Sequence, residues 1–181
     1  MDRLITIQSK KDIPKKYQDT PIGLLLEYHN FSRSSDAYSE PQLLVGMCMD
    51  NRKHLHIPDN FAFIIRTGGA NMRYSEFKVS YAISIGGVKH VVLIGHNQCG
   101  MVNLASRREQ FIQGLVKEAG WDTQAAEKHF DDSAPIFEIG NEIDFVLSEA
   151  NRLRSRYQKI VILPLIYRVE DGLLYMIKTG Q

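Results

Sequence analysis

The chain is poor in cysteine, with two in 181 residues, too few for a disulfide framework. A small secreted disulfide scaffold is excluded on that count, and a reducing, cytoplasmic compartment is expected. Charge of one sign is also lacking: 22 Lys and Arg stand against 21 Asp and Glu, a formal net charge of +1. Nothing here attracts nucleic acid or an anionic lipid surface broadly, so neither is expected as a partner. No apolar run approaches the ~18 residues of a membrane span. The opening Met1-Asp2-Arg3-Leu4-Ile5-Thr6-Ile7-Gln8 has no apolar stretch followed by small residues, so no secretory signal is expected. Internal repeats and low-complexity segments are absent. The glycine pairs Gly68-Gly69 and Gly86-Gly87 lack the spacing and the lysine of a phosphate-binding loop.

What remains is ordinary globular material, 44% hydrophobic and 24% charged, of a length that suits one domain over residues 1–181. Consecutive apolar residues without polar alternation mark buried strands at Gln42–Met47, Phe61–Arg66, Val91–Ile94 and Lys159–Tyr167. Helices are expected between them. Thr20-Pro21 reads as a cap with proline in the first turn. Ser75 opens a helix to Ile85, with Phe77, Tyr81 and Ile85 at helical spacing and Gly86-Gly87 as its stop. A helix runs from beyond Gly100 to about Val116, and a short one covers Trp121–Phe130. Ile139, Ile143, Val146, Ala150, Leu153 and Tyr157 share one stripe of a long helix. Asp171-Gly172 turns the chain into a last strand, Leu173–Ile177. The expected architecture is α/β: a mainly parallel β-sheet core flanked by helices, with a C-terminal antiparallel edge strand. Residues 1–20, with Lys10, Lys11, Lys15 and Lys16, read as a solvated arm.

Two apolar runs end in chemistry. The first ends in Cys48-Met49-Asp50-Asn51-Arg52, the second in Gly95-His96-Asn97-Gln98-Cys99-Gly100. In parallel α/β sheets ligands bind beyond the carboxyl ends of strands, and both segments stand there. Two thiolates and an imidazole suit zinc, and three protein ligands leave a fourth position open, as catalytic sites require. Asp50 lies near enough to Cys48 either to orient an attacking hydroxide or to occupy that fourth position itself. A bidentate pair with Arg52 would hold it off the metal. Each fragment also has a plain reading: buried small cysteines, a structural Asp–Arg pair, or a Cys48–Cys99 disulfide or redox couple. The conjunction of all five residues is what gives the site its specificity.

These two segments together resemble the β-class carbonic anhydrases, strongly over residues 42–104 and more faintly through Val161–Ile177. The resemblance implies zinc held by Cys48, His96 and Cys99. It implies an Asp50–Arg52 catalytic dyad and reversible hydration of carbon dioxide to bicarbonate and a proton. It also implies a homodimer or homotetramer, with residues 1–30 as a helical arm on the partner subunit. Three departures lie near the expected cleft: Asn51 where the family usually has serine, Thr67-Gly68-Gly69 for its Asn-Ala-Gly, and a shorter Lys53–Asn60 segment where a helix usually stands. Relatives on this scaffold hydrolyse carbonyl sulfide or carbon disulfide, which makes these the alternative substrates; a non-catalytic zinc module is the other alternative. His54 and His56 read as surface residues, with a proton-shuttle role as the sharper possibility. Tyr74, Tyr81 and Trp121 read as core or subunit interface.

Overall fold

The computed structural model describes residues 3–178. Its elements are β1 (Leu4–Ile5), α1 (Pro21–Phe31), β2 (Leu43–Cys48), β3 (Ala62–Thr67), α2 (Glu76–Ser84) and β4 (His90–His96). They continue with α3 (Arg108–Ala119), α4 (Thr123–Phe137), α5 (Glu142–Arg156), β5 (Val161–Tyr167) and β6 (Leu174–Ile177). One six-stranded sheet runs in the order β1-β6-β5-β4-β2-β3. Strands β3, β2, β4 and β5 are mutually parallel, and β6 returns antiparallel to β5. The mainly parallel α/β sheet with its antiparallel C-terminal strand is therefore present, and the two-residue β1 lies beyond β6. Gly172 makes the turn into β6 at φ +70°, where a side chain is strained. No helix among the described residues is long and apolar enough to cross a membrane.

Both faces of the sheet are covered, which is why its strands read as unbroken apolar runs. On one face Ile22, Leu25 and Leu26 of α1 pack against Leu43, Val45, Val92 and Leu165. On the other, Val79 and Ala82 of α2 and Val146, Ala150 and Leu153 of α5 cover Leu44, Val91, Leu93 and Ile162. Helix α1 starts where its capping signals stand: Thr20 accepts from the Gly23 amide, and Pro21 takes the first turn. Helix α5 is capped by Asn141, which accepts from Ile143 and Asp144.

Three expectations change. Residues 4–17 are not a solvated arm: β1 pairs with β6, and Ile7 and Ile13 are each 1% exposed. The lysines between them do face water, so the basic composition concealed two apolar anchors. Strand β3 is not buried on both sides. It is the outermost parallel strand, and its Ile64 is 46% exposed. The Phe77–Tyr81–Ile85 stripe of α2 faces outward, with Phe77 83% and Ile85 71% exposed, while Val79 and Ala82 hold the helix to the sheet. Tyr74 is exposed as well.

The docking of the N-terminal segment can be tested at Gly23. A Cβ there meets the Tyr17 backbone carbonyl, which cannot move aside cheaply. Alanine adds helix propensity worth about 1 kcal/mol. We nevertheless expect Gly23→Ala to destabilise the fold by about 1–3 kcal/mol, the usual cost of overpacking. Chemical denaturation measures the sign directly: a stabilised variant would mean that residues 13–20 are not held against α1.

Candidate metal centre

Strands β2 and β4 are neighbours, with Met47 paired to Ile94, so Cys48 and His96 emerge side by side at the carboxyl edge of the sheet. The turn after His96 brings Cys99 back beside them, with Gln98 in the left-handed region at φ +56°. One ligand atom from each of Cys48, His96 and Cys99 lies within 4.8 Å of the other two, and all three residues are buried. The two sulfurs are 4.0 Å apart. A disulfide requires about 2.05 Å. Two thiolates at ~2.3 Å from one tetrahedral ion are about 3.8 Å apart. The observed spacing excludes a disulfide and is compatible with two sulfurs on one ion.

His96 supplies the second sign. Its Nδ1 lies 2.8 Å from the Asn97 carbonyl, to which it donates. The lone pair of the neutral ring therefore falls on Nε2, and Nε2 is buried with no hydrogen-bond partner. An unsatisfied buried acceptor costs about 1–3 kcal/mol. A metal ion removes that cost, and the donor set of two sulfurs and one imidazole nitrogen fits zinc. The hydrogen bond from Cys99 pulls the Cys48 thiol below its ordinary pKa, and the same contact pushes Cys99 up.

Asp50 stands against this cluster. Its Oδ2 is 3.9 Å from His96 Nε2. Arg52 clasps it in bidentate fashion: Nη2 donates to Oδ2 at 2.7 Å, and Nε to Oδ1 at 3.0 Å. The Arg52 amide adds a third bond, to Oδ1, at 2.9 Å. The guanidinium holds the Asp50 carboxyl well below the usual carboxylate range, so it stays ionised across neutral pH. Arg52 in turn donates to the Gln98 carbonyl at 3.0 Å. Glu170 accepts from Asn97 and Gln98 at 2.6 and 2.8 Å. The Cys99 amide donates to Glu142 in the first turn of α5. All five residues singled out from the sequence are therefore together.

Glu170 and Gln98 carry no sequence signal for this bracing role, since each is an ordinary loop residue until β5 is placed beside β4. Lys53, read only as the start of a connection, proves fully buried beside Asp50. His54 and His56 are exposed. His29 is a satisfied core histidine: it bonds the Gly172 carbonyl and the His56 amide, and burial pushes its pKa down to about 4. An apolar cavity of about 310 Å³ opens beside the cluster, lined by Met49, Gly68, Met101, Leu104, Phe111 and Phe137, among others. Gly68 belongs to its wall, because a Cβ there would press on Met101 Sδ at 3.1 Å.

A family model described as carbonic anhydrase matches residues 45–174, which include the whole constellation. The chain belongs to the β-carbonic anhydrase family. Among solved structures, it is 25% identical to a carbonic anhydrase from Glaciozyma antarctica, covering 77% of this chain and 84% of that one at a TM-score of 0.59. The β-carbonic anhydrase isoform I of Trichomonas vaginalis has the same fold at 20% identity, with 83% and 91% covered and a TM-score of 0.63. So does a carbon disulfide hydrolase in its apo form, at 20% identity, 78% and 82% covered, and a TM-score of 0.58. No curated protein sequence matches significantly. As a β-carbonic anhydrase, this chain has no helix between β2 and β3. The segment after Arg52 instead returns to β3 through Lys53, whose carbonyl accepts from Arg66 Nη2 at 3.2 Å.

Proposed function

We propose that the chain, as a single domain over residues 1–181, holds one zinc ion through Cys48, His96 and Cys99 and hydrates carbon dioxide reversibly to bicarbonate and a proton. The observation that carries this reading is the buried, unpartnered His96 Nε2 facing two sulfurs 4.0 Å apart, with an ionised carboxylate oxygen 3.9 Å from it. The ion supplies a Lewis acid that activates water near neutral pH. The rest is done by the protein's own groups. Asp50, as an acceptor-only carboxylate, takes a hydrogen bond from the attacking water and fixes the direction of its lone pair. Arg52 fixes Asp50 in turn, through both carboxylate oxygens. Met49 and Met101 wall the approach with groups that form no strong hydrogen bonds, which favours a small uncharged electrophile. The same walls admit carbonyl sulfide or carbon disulfide, so these are the substrates to compare. A reducing, cytoplasmic location would keep both cysteines available as thiolates.

The working unit in this reading is a homodimer or a pair of homodimers. A second copy would cover the outward stripe of Phe77, Tyr81 and Ile85 together with the open edge at Ile64, all of which are apolar and exposed. Residues 1–30 would also contribute to that contact.

Purification without chelator, metal analysis and stopped-flow carbon dioxide hydration across pH ~6.5–9 test the reading, a window set around the ionisation of activated water. We expect one zinc per chain and turnover that rises with pH. Stoichiometric zinc with no turnover on any of the three substrates would instead leave a zinc module without catalysis.

A further inference from the structure

Lys53 is the least expected side chain in the protein. Its side chain is 0% exposed, and its Nζ makes no hydrogen bond. A buried ammonium is among the costliest groups a fold can hold unless opposite charge lies close by. Asp50 supplies one, with Oδ1 3.9 Å from Nζ. That oxygen already accepts from the Arg52 amide and Nε, so Lys53 acts on it as a charge and not as a hydrogen-bond donor. Burial pulls its pKa down, Cys48, Asp50 and Cys99 pull it up, and Arg66 adds to the lowering. The backbone that carries the side chain is braced from the neighbouring strand. Arg66 donates Nη2 to the Lys53 carbonyl at 3.2 Å and Nη1 to the Cys48 carbonyl at 3.4 Å.

With a divalent ion bound, the charges of the site do not cancel. Two thiolates balance the ion, and Asp50 balances Arg52; by count the Arg66 guanidinium offsets the Glu142 carboxylate on the Cys99 amide, and Arg168 offsets Glu170. One positive charge, that of Lys53, is left over in a cleft with apolar walls. We infer that Lys53 is a positioning residue whose buried charge draws a small anion into the metal cleft and holds it there. The inference rests on the metal-site reading above, and it adds the class of ligand: a compact monoanion, of which bicarbonate is the one the proposed reaction makes. Lys53 itself touches no ligand, since it is wholly enclosed. At an effective dielectric of ~20, a unit charge several ångströms away changes an anion's binding constant by about tenfold or more.

The test uses the protein loaded with cobalt(II), whose visible spectrum reports ligands at the ion without turnover. Azide, a linear monoanion, and imidazole, a neutral ligand, are titrated at one fixed pH into wild type and Lys53→Met, in which the side-chain volume is nearly kept. We expect azide to bind the variant about tenfold more weakly or worse, and imidazole to bind both proteins alike. Unchanged azide affinity would overturn the inference. Equal weakening of azide and imidazole would also overturn it, because that marks a damaged site and not a missing charge. Should the variant fail to fold, the ¹⁵Nζ resonance of Lys53 in wild type decides: an ammonium supports the inference and a neutral amine removes it. Wild type that takes up no cobalt would overturn the metal-site reading itself, a different failure from cobalt uptake with azide affinity indifferent to Lys53.

Discussion

Asp50→Asn is expected to lower carbon dioxide turnover by about 10²- to 10⁴-fold, the usual range for losing a positioned proton acceptor, with zinc content unchanged. The substitution keeps the shape of the side chain and removes its charge. Asparagine offers one acceptor oxygen and one donor NH₂ where the carboxylate offers two acceptors. Arg52 needs two acceptors for its fork, and the water to be activated needs a third acceptor position facing the cluster. The amide cannot meet both demands, and its NH₂ would be placed beside either the guanidinium or the ligand position. Some stability should be lost as well, because Asp50 is only 16% exposed and is the carboxylate beside the enclosed Lys53. Stopped-flow rates and metal analysis on the same sample separate the two effects. Full turnover in Asp50→Asn would take the carboxylate out of the mechanism.

The second large effect is expected at Cys99. Cys99→Ser should lose zinc on dialysis against a chelator that leaves wild type loaded, and turnover should vanish with the metal. A serine hydroxyl does not ionise near neutral pH, so the site loses both a charge and its soft donor. Two ligands then remain, Cys48 and His96, too few to hold the ion against a chelator. Folding should register the loss as well. Any ligand that binds only the native state stabilises it by about 4 kcal/mol at a thousandfold excess over Kd. Thermal unfolding with and without added zinc should therefore shift in wild type and stay fixed in Cys99→Ser. Retention of one zinc per chain in both Cys99→Ser and Cys48→Ser would mean that the ion is held elsewhere.

Much of this site is legible in the sequence because its logic is local. An apolar run long enough for a buried strand, followed at once by a thiol or an imidazole, places that group at a strand end whatever the neighbours are. Cys48 and His96 are both of this kind, and in a parallel sheet the carboxyl ends of adjacent strands share one edge. Asp50 and Arg52 are two residues apart, close enough to pair within one turn, and they do. The cap at Thr20 and the turn at Gly172 are equally local: each rests on a hydrogen bond or a backbone angle spanning a few residues.

Other features depend on what stands next to what, and composition pointed away from them. Four lysines made residues 1–20 look solvated, yet Ile7 and Ile13 reach the core because the free edge of β6 lies where Leu4 and Ile5 can pair with it. Phe77, Tyr81 and Ile85 carry a helical period as regular as that of any core face. They point outward because α2 is fixed by Val79 and Ala82 against Leu44 and Leu93. Lys53 follows an arginine at the start of a polar segment, the setting of a surface residue. It is enclosed beside Asp50 all the same, in a stretch whose carbonyls, with that of Cys48, accept from Arg66 on the neighbouring strand.

The sequence by itself thus determined the α/β class, the strand ends and the five residues of the candidate centre, since strand formation, capping and the choice of metal donors are settled within a few residues of chain. Only the tertiary structure decided the 4.0 Å spacing of the sulfurs, the bracing of the Asn97–Gln98 turn by Glu170, the outward face of α2 and the burial of Lys53. Each of these depends on the order and register of strands far apart in sequence. That order is set by how all the apolar faces are buried at once, and no single stretch of the chain encodes it.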